Sequence, residues 1–202
     1  MKKYYMFLLC SFILTGCASY KRNNVLDIVD FKQLYQSRVK ESVSLDLRYR
    51  YGASSSGEAL LHFEDQFGES FSEALVGSGY FSSVNRTKPK LNSGYHVSVD
   101  ISDRENLLEN MSGFNAASAF GSMFSLFLIP MKRSYVVNFV VSISKDGKLI
   151  SKKELSDTYE QYLSSMPYVY LMGSSKANIG REYGAVIGTN LLKHINDSKI
   201  KR

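Results

Sequence analysis

The chain is poor in the residues from which reactive or cross-linked sites are most often built. Its 202 residues include two cysteines, three histidines, three prolines and no tryptophan. The histidines, His62, His96 and His194, stand far apart in sequence and none falls in a metal-ligand spacing, so no metal is expected. Each reads as a surface or hydrogen-bonded core residue. No phosphate-cradling glycine loop, paired-histidine helix or glycine-flanked nucleophile occurs, so no cofactor and no catalytic residue are assigned. Basic residues do not gather into the stripe that a nucleic-acid binder needs. Long apolar runs are also scarce. The N-terminal run from Tyr4 to Leu14 is far short of the roughly 20 residues that span a hydrocarbon layer.

That short run nevertheless has a definite setting. Lys2 and Lys3 precede it and the small residues Thr15 and Gly16 follow, the order of an export signal that is removed. Leu14-Thr15-Gly16-Cys17 resembles the lipobox of bacterial lipoproteins. The resemblance implies cleavage between Gly16 and Cys17, and a Cys17 carrying S-diacylglycerol and N-palmitoyl groups. Several chains on one residue hold a protein stably where one does not. Ala18 follows the cysteine, and by the same resemblance, for a Gram-negative source, this implies an outer-membrane lipoprotein facing the periplasm. Cys10 lies inside the signal, so the mature chain has no internal disulfide and must rely on its core.

Removal of residues 1–16 leaves 23 basic against 19 acidic residues, a net charge near +4. Such a balance suits anionic lipid or cell-wall polymer. The expected organisation is a signal peptide over 1–16, a lipidated tether over 17–24 and a single periplasm-facing α+β domain over 25–202.

Periodicity supplies the elements. Val25, Ile28, Val29, Tyr35 and Val39 suggest a short amphipathic helix, and Val43 to Tyr51 alternate as a strand. Ser55 and Glu58 have the form of a capping box. Leu60, Phe63, Phe67, Phe71 and Leu75 then make a helical stripe expected to pack on a sheet, closed by Gly77 and Gly79. Phe81 to Val84 reads as a short strand and Arg86 to Lys90 as a basic loop. Tyr95 to Ile101 and Tyr135 to Ile143 alternate as strands, and Asp146-Gly147 predicts a hairpin whose partner strand begins at Leu149. A last helix is expected from Ser175 to Ile195, with Gly180, Gly184 and Gly188 packed closely on the sheet. The resulting fold class is α+β: an antiparallel sheet with one long helix packed on it early and a C-terminal amphipathic helix.

Two segments resist a simple assignment. Asn110 to Met131 holds no charged residue; it suits a segment packed in or over the core, a surface entering a membrane or partner through Phe120, Phe124 and Phe127, or a span. Gly113, Gly121 and Pro130 argue against the span. Tyr162, Met166, Tyr168, Tyr170 and Met172 either close the core or line a groove.

Ser142-Ile143-Ser144-Lys145 has the Ser-x-x-Lys spacing of penicillin-binding enzymes, but that chemistry places the pair at a helix start, whereas here it ends a strand. Ala74 to Val84 is similar to the helix-to-strand passage of small envelope lipoprotein domains, including those that assist peptidoglycan synthesis, curli secretion or lipid transport. This implies a non-catalytic binding or assembly module with an envelope protein partner. The alternative is a carrier holding a lipid or hydrophobic ligand with Phe124, Phe127 and Tyr168.

Overall fold

The computed structural model describes residues 17–23, 26, 41–50, 57–86, 94–125, 128–165, 169 and 171–200, the side chains of 57–62 and 196–200 excepted. The signal segment with Gly16, the helix expected over 25–39, Ser55 of the capping box, residues 87–90 of the basic loop, Phe127 and Tyr168 lie outside this description.

Among the described residues ten elements follow in order. They are β1 (Cys17–Arg22), β2 (Ser42–Arg50), α1 (Gly57–Gly77), β3 (Ser83–Asn85), β4 (Tyr95–Glu105), α2 (Leu107–Asn110), α3 (Gly113–Phe124), β5 (Met131–Lys145), β6 (Lys148–Ser164) and α4 (Lys176–Ile200). The strands form one sheet in the order β1-β6-β5-β4-β2-β3. No helix among the described residues is long and apolar enough to cross a membrane. Residues expected as a polar tether instead form β1, which pairs antiparallel with β6 from Cys17 opposite Ser164 to Arg22 opposite Tyr159.

The sheet is mixed rather than antiparallel. β2 runs parallel to β3 and to β4. The reason lies in the lengths. The 21 residues of α1 span about 31 Å at 1.5 Å per residue, which matches the roughly 30 Å of a nine-residue strand. A chain leaving the end of β2 is therefore carried back to its beginning, and the next strand must run the same way. Antiparallel pairing governs the other side: Gly94 bonds Asp146, Ser98 bonds Ser142 and Asn106 bonds Ser134, so β4 and β5 run in opposite directions.

The chain divides into two compact units, the first holding Met1–Asn23, Glu105–Val136 and Thr158–Lys176, the second Asn24–Arg104, Val137–Asp157 and Ala177–Arg202. The core of the second unit follows the expected stripes. Phe63, Phe67, Phe71 and Leu75 of α1 are buried, as are Val43, Leu45, Val97, Val99 and Ile101 from the strands. Phe139 of β5 stacks on Phe67 at 5.9 Å and meets Tyr183 of α4 at 5.1 Å. Both long helices thus pack on the same strand residue. The glycine strip of α4 does not meet the sheet, as expected from sequence, but α1. A Cβ at Gly180 would lie 2.5 Å from the Phe63 carbonyl oxygen, and one at Gly188 2.8 Å from Ala74 Cβ. Glycine at these turns lets the two helix backbones approach.

Gly79 ends the α1 segment with φ +71°, and Asp146 and Gly147 take φ of +50° and +76° in the hairpin turn. Positive φ at both turn positions matches the right-handed twist of the flanking strands. Beside this turn Lys145 pairs with Glu41 at 3.2 Å and lies over the Tyr95 ring.

Candidate functional site

Within the first unit, α3 is inverted relative to an ordinary surface helix. Its buried residues are Asn115, Ser118 and Ser122. Phe114, Phe120, Met123 and Phe124 face outward, Phe124 with 86% of its surface exposed. Leu107, Leu108 and Met111 of the preceding turns, Leu128 and Ile129 of the following loop, and Leu171 and Met172 extend this exposed apolar surface.

The inversion follows from how β4 ends. Asn106 caps α2 and its carbonyl turns into the helix, accepting the Asn110 backbone N–H at 2.9 Å, while the N–H of Ser134 is met from elsewhere. The Asn110 side chain takes that place, its Oδ1 accepting from Ser134 N at 2.6 Å while its Nδ2 donates to the Ser134 carbonyl at 3.2 Å. One pair further along β5, Ser118 Oγ accepts from Lys132 N at 3.3 Å. Asn115 Nδ2 reaches the Glu109 carbonyl at 3.2 Å and Ser134 Oγ at 3.5 Å. Buried backbone groups must be paired, and here polar side chains of α2 and α3 continue a strand ladder that β4 no longer supplies. The apolar side chains are left to the outside. Among the described residues of the uncharged segment the buried ones are polar, so α3 packs over the sheet by its polar side and does not enter the core with its phenylalanines.

A cleft of about 280 Å³ opens beside α3, lined by Phe114, Ala117 and Gly121 together with Ile129, Pro130, Tyr162 and Met172. Lys132 and Ser118 also border it. Lys132 Nζ pairs with Glu160 Oε1 at 2.6 Å, and both side chains are largely covered. The Tyr162 hydroxyl donates to the other oxygen of Glu160. Burial by itself would raise the Glu160 carboxyl, but the hydrogen bonds from Lys132 and Tyr162 and the charges of Lys132 and Lys21 hold it below its ordinary value. Burial, followed by the hydrogen bond and negative charge of Glu160, pushes the Tyr162 phenol well above the ordinary tyrosine value. In this polar wall Glu160 is thus met by both Lys132 and Tyr162.

β1 brings Cys17 to this same wall. Side chains alternate along a strand and those of directly paired residues share a face. Cys17 opposite Ser164, Ser19 opposite Tyr162 and Lys21 opposite Glu160 therefore form three rungs on the face where Tyr162 lines the cleft. Cys17 is half-buried, and Ser19 Oγ donates to the Val169 carbonyl at 2.7 Å. The other face carries a polar aromatic group. Tyr135 stacks on Tyr159 at 5.1 Å, Gln161 joins the Tyr135 and Tyr20 hydroxyls, and Lys176 Nζ lies 5.9 Å from the rings of Tyr20 and Tyr159.

Of the residues singled out by sequence, Phe120 and Phe124 are exposed on α3, and Tyr162 and Met172 do line a groove. Phe127 and Gly16 lie outside the described residues. The Lys132–Glu160–Tyr162 cluster and the Tyr20–Tyr159–Lys176 group were not legible in the sequence, since their members come from two and three separated segments respectively. Ser142 and Lys145 turn to different partners, Ser98 at 2.7 Å and Glu41. His96 Nδ1 lies 2.9 Å from Ser44 Oγ across a strand pair. Among the described residues no three His, Cys, Asp or Glu side chains are grouped as metal ligands.

No family model matches the chain, and no curated protein does. Solved structures similar to it include a Xanthomonas campestris protein of the DUF330 family, 10% identical with a TM-score of 0.44, covering 88% of this chain and 95% of that one. A neuraminyllactose-binding hemagglutinin homologue from Helicobacter pylori is 8% identical with a TM-score of 0.45 over 88% of this chain and 99% of that one. A minor lipoprotein from Acinetobacter baumannii is 15% identical with a TM-score of 0.39 over 79% and 94%. These scores are too low to carry an argument, and the functional reading rests on the residues themselves.

Proposed function

We propose that the chain is a lipid-anchored, non-catalytic module of the bacterial cell envelope, held in the outer membrane by acyl groups on Cys17, facing the periplasm, and working by binding. The observation that carries this is the exposed apolar surface of α2 and α3 on the first unit, whose strand β1 begins at the lipobox cysteine. Soluble domains seldom leave so many large apolar side chains contiguous in water, and such patches mark interaction sites. The proposed partner is a component of the envelope bound through this face.

The test is photo-crosslinking in the native envelope from a reactive residue at position 120, with the mature N-terminus examined by mass spectrometry. A Cys17 carrying both S-diacylglycerol and an N-linked acyl chain, and a crosslink that disappears on Phe124→Ser, support the reading. An unmodified Cys17, or a hydrolytic activity abolished by a single substitution, defeats it.

The cleft favours a second reading, a carrier of a lipid or another hydrophobic ligand, because Phe114, Ile129, Tyr162 and Met172 present an almost wholly apolar lining. Lipid recovered from the purified protein in organic extracts, and lost on Ala117→Trp, favours the carrier over the module.

A further inference from the structure

We infer that the occupant of the α2–α3 face is the bilayer surface itself, so that the module lies on the membrane instead of swinging from its anchor. The inference rests on the reading of Cys17 as lipidated and names the partner of that same surface.

Three observations select lipid. The first is position. Cys17 and the Tyr162 wall of the cleft share a sheet face on adjacent rungs, two residues or roughly 7 Å apart along β1, so chains leaving Cys17 start beside the apolar surface.

The second is shape. At 100° per residue, the buried Asn115, Ser118 and Ser122 occupy a narrow arc of α3, while Phe114, Ala117, Phe120, Met123 and Phe124 spread over about half of the circumference. A helix seated in a protein groove offers a narrow row of anchors. A helix lying in the interface plane offers a broad apolar face.

The third is charge. Asn110 to Met131 carries none. On β1, Lys21 is exposed on the sheet face that carries the cleft wall, and the one exposed acid of α2 is Glu109. Lys21 favours anionic headgroups. Because β5 holds the polar side of α3 through Asn115 and Ser118, no refolding is needed to present the apolar side.

The absence of tryptophan from the chain supplies the probe. Full-length Cys17→Ser protein, which lacks the acyl anchor, is given a single tryptophan by Phe124→Trp and mixed with vesicles of phosphatidylethanolamine and phosphatidylglycerol. The expected result is a blue-shifted emission quenched by bromine placed on the acyl chains. The same label at Val76, an exposed position of the second unit, stays unquenched.

Phe120→Ser and Met123→Ser, both at exposed sites, leave circular dichroism unchanged and weaken vesicle binding about tenfold each, the effect of losing one inserted apolar side chain. Folded Phe124→Trp protein that shows no quenching at any lipid concentration overturns the inference, and so does equal quenching from Val76→Trp. Crosslinks at position 120 to protein alone, without vesicle binding, overturn it while leaving the proposed function standing. An unlipidated Cys17 in the native protein defeats the proposed function whatever the vesicles show.

Discussion

Gly184→Ala sets two well-measured effects against each other on α4. Alanine in a helix interior is favoured over glycine by about 1 kcal/mol. Against this, a Cβ at 184 would overlap the Phe67 carbonyl oxygen of α1 and lie 2.9 Å from the Phe71 backbone nitrogen. Both are backbone atoms, which no rotamer change can move aside. Relief requires the helices to separate, which would loosen the Phe67, Phe139 and Tyr183 stack. Overpacking of a tight core costs about 1–3 kcal/mol, and a backbone overlap belongs at the upper end. The net loss is about 2 kcal/mol, a fall in Tm of roughly 4–8 °C for a chain of this length. Two sites calibrate the result. At Gly77 an added methyl meets nothing within 4 Å, and at Gly68 it meets Leu47 Cδ1 at 2.7 Å and the Arg86 side chain, both able to turn away. Gly77→Ala should cost nothing and Gly68→Ala little. Urea and thermal unfolding of the three variants test the order. A Gly184→Ala protein as stable as the parent would show that the strip is not a seam between helices.

The Lys132–Glu160–Tyr162 cluster gives a pH prediction. Because the Glu160 carboxyl is held below its unfolded value, its contribution is present above the ordinary carboxylate range and is lost as pH falls through the lowered folded value. Glu160→Gln should cost about 1–3 kcal/mol at pH 7 by leaving Lys132 covered and unpaired, and the gap between variant and parent should close in acid; a gap independent of pH between 7 and 3 would refute this. Ser122 is fully buried on α3 and its hydroxyl has no partner among the described residues. Ser122→Ala should therefore leave Tm unchanged or raise it, by about 1 kcal/mol of recovered desolvation, and a marked loss would reveal a hidden hydrogen bond.

Local periodicity made most of the second unit legible. Val97, Val99 and Ile101 alternate because β4 buries one face, and Phe63, Phe67, Phe71 and Leu75 recur by turns because α1 buries one stripe. Strand direction was not legible. Side-chain alternation is the same in parallel and antiparallel strands, and only the match between the lengths of α1 and β2 forces the parallel pair. The glycine strip likewise announced a close approach but not its partner, because Gly180, Gly184 and Gly188 are equally suited to a helix or a sheet. Distances from Phe63 and Phe67 of α1 decide it.

The candidate site was half legible for a reason that bears on its role. Phe120 and Phe124 signalled an apolar side of α3, and the usual inference from an apolar side is burial. What reverses it is a debt of backbone hydrogen bonds created elsewhere, where β4 gives way to α2 and leaves the N–H groups of Lys132 and Ser134 to be met by Ser118 and Asn110. A periodicity argument sees only the helix and not the ladder beneath it. Satisfying that ladder consumes the polar side of α3, so the phenylalanines have no core to enter. Side chains placed outward by such a constraint are retained at a cost in solubility unless something covers them. On this molecule Cys17 stands one rung from the cleft wall on that same face. An acylated Cys17 would bring the bilayer to the surface that needs covering, which makes the anchor and the inverted helix two parts of one device.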